Sequence, residues 1–487
     1  MNCDASVHRW TPNPGTKTII PFLLGFVVSL SLGSFTSAFA ATTTIAQVAT
    51  YGQSLSLGDQ GCPALSTSQP YSNLQLSTDP TGSLVPLVEN ILNFDSSNPP
   101  CNPATDKQES PASGLANTIT SLSSDQSQVV AVTRSGVGGT AYSGLKKGTT
   151  PYSNLLTAIT TVSSDTRSLG DNYRFLGVMF THGETDYQEN NTSGTAYEAD
   201  LVQLQSDLNN DIQAITGQTS TVIVFLDQMS SWGAINPSGN PCYPGDTSYS
   251  CATYNNGTLG DSELGVPIAQ WEYFRDHPST SCLIGPKYQY NYTSVTGDIG
   301  VHLTNAGYQQ LGELQGKFIK KVALDGQQCL PLAPRSITLD GATVTVKFWV
   351  PSGSLTIDTT LVAQRANDGF YYHDDSSSTS ISSVTVIASD TVAITLHQVP
   401  TGANPRIGYA YQATRFASSS GASIAGAPGG NLRDTDPTVG QYGDQLYDWA
   451  VAFYEPVGFS WSPYTSTTAG TLTMGGPAML GGRCIAN

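Results

Sequence analysis

The chain has 487 residues, enough for two domains, with 20 Lys and Arg against 37 Asp and Glu and a formal net charge of −17. Only 12% of residues are charged, so the acidity is thinly spread, and a surface of that sign argues against nucleic acid and anionic membrane as partners. Abundant Gly, Ser and Thr suit an extracellular protein of strands and loops.

The chain opens with Arg9 and Lys17, an apolar run from Ile19 to Leu32, and Ala38-Phe39-Ala40 before Ala41. A charged stretch, an apolar core and a small-x-small site predict a signal peptide over 1–40, cleaved after Ala40, and a secreted or periplasmic product. The rival is an uncleaved anchor. Its apolar core is short for a bilayer, and Ser29, Ser31, Ser34 and Ser37 dilute it. No later segment is apolar enough to span, so no integral membrane span is expected after cleavage.

An oxidising destination predicts that the cysteines beyond the leader mostly pair. Cys242 with Cys251, Cys62 with Cys101 and Cys282 with Cys329 are the expected pairs, with one thiol, such as Cys484, left over. No CxxC pair occurs, which argues against a structural zinc, and two ligands around His302 do not make a site, so no metal is expected. Glycosylation sequons begin at Asn190, Asn191, Asn256 and Asn291.

Thr44–Thr50, Gln128–Thr133, Phe175–Phe180 and Thr221–Leu226 are short apolar runs without a polar face, as buried parallel strands are. Between and after them Ala196–Ile215, Ser262–Arg275 and Ala306–Ala323 carry helical spacing. This alternation predicts an α/β fold, a parallel sheet between helical layers, over 41–329. After the Pro-rich Leu330–Pro334, Ser336–Val350 and Ser382–Leu396 alternate apolar and polar residues around turn signals. They predict a C-terminal β-sandwich domain over 330–487, with helical spacing only at Gln441–Phe453.

Four clusters carry possible chemistry. Gly52-Gln53-Ser54 follows the first strand, where open α/β sheets place ligands. A serine there presents its hydroxyl beside backbone N–H groups, although a helix N-cap serine looks the same. Gly136-Val137-Gly138-Gly139-Thr140 lets N–H groups approach a ligand closely, and is also ordinary turn chemistry. Thr181-His182-Gly183-Glu184-Thr185-Asp186 closes another strand. Asp298 and His302 lie in a loop before a helix capped by Thr304 or Asn305; such a histidine is a candidate general base or a plain surface residue.

In this order the blocks resemble those of SGNH hydrolases, in the branch with sialate O-acetylesterases and acetyl-xylan-type esterases. The resemblance covers roughly Ala41–Ala323, through Gly52-Gln53-Ser54, Gly138-Gly139-Thr140, His182-Gly183-Glu184-Thr185-Asp186 and His302-Leu303-Thr304-Asn305-Ala306-Gly307-Tyr308. It implies a three-layer α/β/α, flavodoxin-like catalytic domain and a cofactor-free serine esterase acting on an acetylated sugar or polysaccharide. It also implies Ser54 as nucleophile, His302 as base and Asp298 as its orienting partner. The oxyanion hole would come from Ser54, Gly138 or Gly139, and His182, with Gln53, Glu184 and Asp186 as further site candidates. Two positions depart from the family pattern. Asp298 lies four rather than three residues before His302, and His182 stands where a Gln or Asn is usual. A lipase or thioesterase of the same fold, a retired glycan-binding protein and a structural surface protein are the rival readings. Tyr371, Tyr372 and His373 are a candidate sugar-stacking patch or simple sandwich core.

Overall fold

A computed structural model describes residues 42–89, 101, 106–124, 128–188, 193–230, 265–293, 301–410, 429–466 and 472–474. The predicted leader, the Cys242–Cys251 pair, Cys484 and the sequons at Asn190, Asn191 and Asn256 lie outside the described residues.

The first half is built on a seven-stranded sheet. Its strands are β1 (Thr44–Gly52), β2 (Leu74–Leu76), β3 (Leu84–Pro86), β4 (Gln128–Arg134), β5 (Asn172–Thr181), β6 (Val224–Gln228) and β7 (Ser281–Pro286), in the spatial order β3-β2-β4-β1-β5-β6-β7. All neighbours are parallel except the edge pair β2 and β3. β1 is central because both of its faces are apolar: Ala46, Val48, Ala49 and Tyr51 are all buried. The chain moves from β1 outward to β2 and β3, returns to β4 beside β1, and then crosses to β5 on the other side. The order therefore reverses around β1, and at such a point the carboxyl ends of neighbouring strands part to form a crevice.

Helices cover both faces. Helix α1 (Ser54–Leu57) is a single turn after β1, and α2 (Pro111–Leu122), α3 (Thr150–Ser168), α4 (Glu184–Gln188), α5 (Gly194–Thr216), α6 (Gly265–Asp276) and α7 (Asn305–Ile319) follow. Helix α5 illustrates why they form. Ser193 caps it through the Ala196 N–H, Gly217 ends it at φ 75°, and Tyr197, Leu201, Leu204, Leu208 and Ile212 make one buried stripe. Each such side chain contributes about 1.5–3 kcal/mol over leaving it in water.

The second half is antiparallel. β8 (Ala333–Asp340), β9 (Thr343–Trp349), β11 (Ile381–Ala388) and β12 (Thr391–Leu396) form a sheet ordered β11-β12-β9-β8. β10 (Phe370–His373), β13 (Arg406–Tyr409) and β14 (Phe453–Pro456) form a second, ordered β10-β13-β14. Phe348 of the first sheet packs edge-on against Phe370 and Phe453 of the second, so the two share an aromatic interior. This half docks on the α/β layers through Trp271 and Trp461, with ring centres 5.1 Å apart, and through the Trp271 indole N–H, which donates to Glu455 at 2.7 Å.

Two of the expected disulfides form, Cys62–Cys101 and Cys282–Cys329. The helical spacing at Gln441–Phe453 does not produce a helix. That segment runs extended, bridging Arg433 to Trp449 and Val439 to Gln445. Its backbone groups have tertiary partners instead: Lys317 takes the Leu446 carbonyl, Tyr288 the Ala450 carbonyl, and Gln228 both the N–H and the carbonyl of Ala452. These outweigh local helix bonds, and weak helical propensity yields to them.

Candidate active site

The end of β1 and the loop before α7 bring two reactive side chains together. Gly52 sits at φ 132°, and a Cβ there would lie 2.0 Å from the Thr181 carbonyl oxygen. Only glycine allows β1 to close against β5 at this point. The Gln53 N–H then donates to that same Thr181 oxygen at 3.1 Å, and the chain turns into α1 with Ser54 as its first residue. A first helical turn leaves N–H groups without partners inside the helix, and the Ser54 N–H is one of them, while the Ser56 N–H is taken by the Gln53 carbonyl at 2.9 Å.

His302 is fixed by backbone on both sides. Its carbonyl accepts from the Thr293 N–H at 2.8 Å, Leu303 bridges to Tyr292, and the Thr304 hydroxyl caps α7 by accepting from the Gly307 N–H at 3.1 Å. Helix α7 packs tightly on α2, where a Cβ on Gly312 would come within 2.1 Å of the Pro111 carbonyl oxygen. From the same helix the Tyr308 hydroxyl donates to the Asp59 carbonyl, two residues past α1. The result is a 2.7 Å hydrogen bond between His302 Nε2 and Ser54 Oγ, across 248 positions of sequence. The two residues are 8% and 5% exposed, enough to meet a ligand and little enough to exclude bulk water. Asp298 lies outside the described residues.

The glycine block stands over the serine. The Val137 N–H donates to the Gly52 carbonyl at 2.9 Å, and a Cβ on Gly138 would lie 3.7 Å from Ser54 Cβ. Gly139, at φ 61°, has no neighbour near its missing side chain.

His182 is the correction. It is wholly buried, and both ring nitrogens are committed away from Ser54. Nε2 lies 3.0 Å from the Thr140 carbonyl, which can only accept, so Nε2 carries the proton. Nδ1 is then the acceptor for the Tyr197 hydroxyl at 2.7 Å. Burial lowers the affinity of this imidazole for a second proton, against the pull of Asp186. His182 therefore holds the glycine loop through Thr140 and has no N–H left for an oxyanion.

The other candidates support rather than face the serine. Gln53 Oε1 accepts from the Thr185 N–H at 3.3 Å, and Asp186 accepts from the Tyr142 N–H at 2.7 Å. Glu184 pairs at 3.2 Å with the fully buried Lys287, which also bonds Asp227. Burial works against the Lys287 charge, but Asp227 and Glu184 hold its proton more firmly than water does. Lys287 and Asp227 escaped the sequence reading. Asp227 precedes Gln228 at the end of the apolar β6 and Lys287 directly follows β7, and that position is the signal they leave. Of the candidate patch in the second half, Tyr372 is buried and bonded to Asp374.

A family described as carbohydrate esterase, sialic acid-specific acetylesterase matches residues 51–232, a span that includes Ser54, Gly138 and His182 and stops short of His302. Over those residues the chain is similar in sequence to carbohydrate esterases, which are carboxylic ester hydrolases. No curated protein matches the chain. Among solved structures, a carbohydrate acetylesterase from Xanthomonas citri is similar at 11% identity and TM-score 0.47, over 84% of this chain and 80% of that one. A protein from Arabidopsis thaliana is similar at 16% identity and TM-score 0.39, over 58% and 99%. A carbohydrate acetylesterase from Sinorhizobium meliloti is similar at 10% identity and TM-score 0.28, over 57% and 98%. Among the described residues no helix is long and apolar enough to cross a membrane.

Proposed function

We propose that the chain is an exported serine esterase that removes O-acetyl groups from a glycan, with its catalytic residues within 41–329. The observation that carries this reading is the 2.7 Å contact between Ser54 Oγ and His302 Nε2 at the crevice where the strand order reverses. Two disulfides and the sequence of the first forty residues support export.

In this mechanism His302 Nε2 takes the Ser54 hydroxyl proton as Oγ bonds to the acetyl carbonyl carbon. The carbonyl oxygen becomes an oxyanion, met by the N–H groups of Ser54 and of Gly138 or Gly139. The bond from the acetyl carbon to the sugar oxygen breaks, and the His302 proton passes to that oxygen, releasing the alcohol. Water then attacks the acetyl-serine, giving its proton to His302, and acetate leaves as Ser54 recovers the proton. Asp298 is assigned to hold the His302 ring through Nδ1. No step calls on a metal or cofactor.

The test is hydrolysis of p-nitrophenyl acetate by the mature protein beside Ser54→Ala and His302→Ala. Turnover by the parent and its loss in both variants is expected. An inert parent, or a Ser54→Ala variant as active as the parent, defeats the proposal.

A further inference from the structure

A cavity of about 570 Å³ opens beside the nucleophile, and its lining includes Leu57, Leu76, Asp79, Arg134, Val137 and Gly138. Leu57 ends the helical turn that Ser54 begins, and Gly138 is the residue nearest Ser54 from the glycine loop. Gly138 lines the cavity and borders Ser54, so the cavity adjoins the nucleophile. Its volume lies within the roughly 300–1,000 Å³ common for small-ligand sites. Leucine, valine and proline in the walls suit the C–H faces of a pyranose, and Ser77, Thr78 and Asn154 suit its hydroxyls.

The charge in this cavity is one-sided. Among the described lining residues Arg134 is the only basic one, and its guanidinium is held within the protein. Its Nη1 pairs with Glu89 at 3.0 Å, its Nη2 bonds Gln75, and Arg134 and Glu89 side chains are 3% and 0% exposed. Its Nε is sealed from solvent. Asp79 lies half-buried in the wall, and its Oδ1 has no hydrogen-bond partner among the described residues. Burial pushes this carboxyl up to about 6, against the pull of Arg134, so it is an anion at neutral pH.

Building on the esterase reading, we propose that this cavity takes the alcohol part of a neutral O-acetylated sugar, and that Asp79 excludes sugars bearing a carboxylate. This narrows the substrate class against the family's description, because a sialic acid would bring its own carboxylate beside Asp79, whose Oδ1 has no hydrogen-bond partner among the described residues, and the one cation of the described lining, Arg134, is held by Glu89 and Gln75. A second negative charge close by in a poorly solvated site is unfavourable, and the Arg134 charge that acts on Asp79 is already shared with Glu89.

The test uses one sugar in two charge states. N-acetylneuraminic acid acetylated at O9 and its C1 methyl ester carry the same acetyl group on the same skeleton, one anionic and one neutral. The full mature protein should cleave the methyl ester with kcat/KM at least about tenfold above the free acid, the size expected for one close like-charge contact. Asp79→Asn and Asp79→Ser should bring the ratio to within about twofold, the charge contact being gone. The ratio is read within each enzyme, so any general loss of activity cancels. Thermal melting of each variant guards against misfolding, and the parent's ratio needs no variant at all. Equal rates on the two sugars, faster cleavage of the free acid, or an unchanged ratio in both folded variants overturns the assignment. So does failure to cleave the methyl ester by a protein that hydrolyses p-nitrophenyl acetate. Failure on p-nitrophenyl acetate itself instead removes the esterase reading, and this proposal with it.

Discussion

The loop after β5 and the loop before α7 each carry a histidine near the same edge of the sheet, and they put the ring to opposite uses. His182 has both nitrogens engaged, one with a carbonyl and one with a tyrosine, and no solvent contact. His302 keeps its Nε2 on a serine hydroxyl at the open end of the crevice. Chemistry needs a ring nitrogen whose partner is itself reactive, and structure needs partners that are not. Sequence neighbours do not tell these cases apart, since both histidines sit beside glycines and acidic residues in turns.

Substitution at the reactive pair should give the largest effect. Ser54→Ala and His302→Ala should each lower kcat on p-nitrophenyl acetate by at least about 10⁴-fold, and the double variant should be no worse than either single one, because the two act as a unit. His182→Ala should do something different in kind. It leaves the Tyr197 hydroxyl and Thr140 carbonyl unpaired, a loss of about 1–3 kcal/mol of stability. A drop of about 10²–10³-fold in kcat with an unchanged melting temperature would instead restore His182 as an oxyanion donor.

The same contrast of position recurs in two buried lysines. Lys287 lies between Asp227 and Glu184 beneath the site, and Lys317 lies at 2.8 Å from both Asp436 and Asp448 where α7 meets the C-terminal segment. Asp434, Asp436 and Asp448 have oxygens within 4.8 Å of one another, and the Lys317 ammonium is the cation beside them. Lys287→Met strands two carboxylates with nothing to replace the charge, and should cost about 3–5 kcal/mol in chemical denaturation. Lys317→Met should cost less. Lys321 stays 3.9 Å from Asp436, and burial with Asp448 already raises Asp434 to about 7, so a proton can take over part of the charge balance. Equal losses in the two variants would mean that position relative to the sheet is irrelevant.

What was legible in the sequence follows from range. The apolar runs Thr44–Thr50 and Phe175–Phe180 and the stripe Leu201–Ile212 declare themselves locally, and the helix cap at Thr304 is written three residues ahead of its partner. Ser54 and His302 were readable because each ends or precedes such an element. The Lys287 pairings, the Asp79 wall and the Arg134–Glu89 pair join residues from different crossovers, and no spacing rule reaches across them. The segment Gln441–Phe453 misled for the same reason. Its helical spacing is local, and the groups that hold it extended belong to Gln228, Tyr288 and Lys317.

The smallest effect concerns protons. Burial lowers the folded pKa of His182, so the folded protein resists a proton that the unfolded chain accepts near 6.5. The stability tied to its neutral form is complete well above that pH. It falls as pH drops below about 6.5, by up to about 1.4 kcal/mol per pH unit, until the folded pKa is reached. His182→Gln keeps one donor and one acceptor but has no titration in this range. Urea midpoints for parent and His182→Gln should therefore diverge at neutral pH and converge toward pH 5, with the parent losing more on the acid side. The remaining titrating groups are shared and cancel in the difference. Parallel curves would mean that the ring accepts its second proton as readily folded as unfolded, and the sharp division between the two histidines would have to be given up.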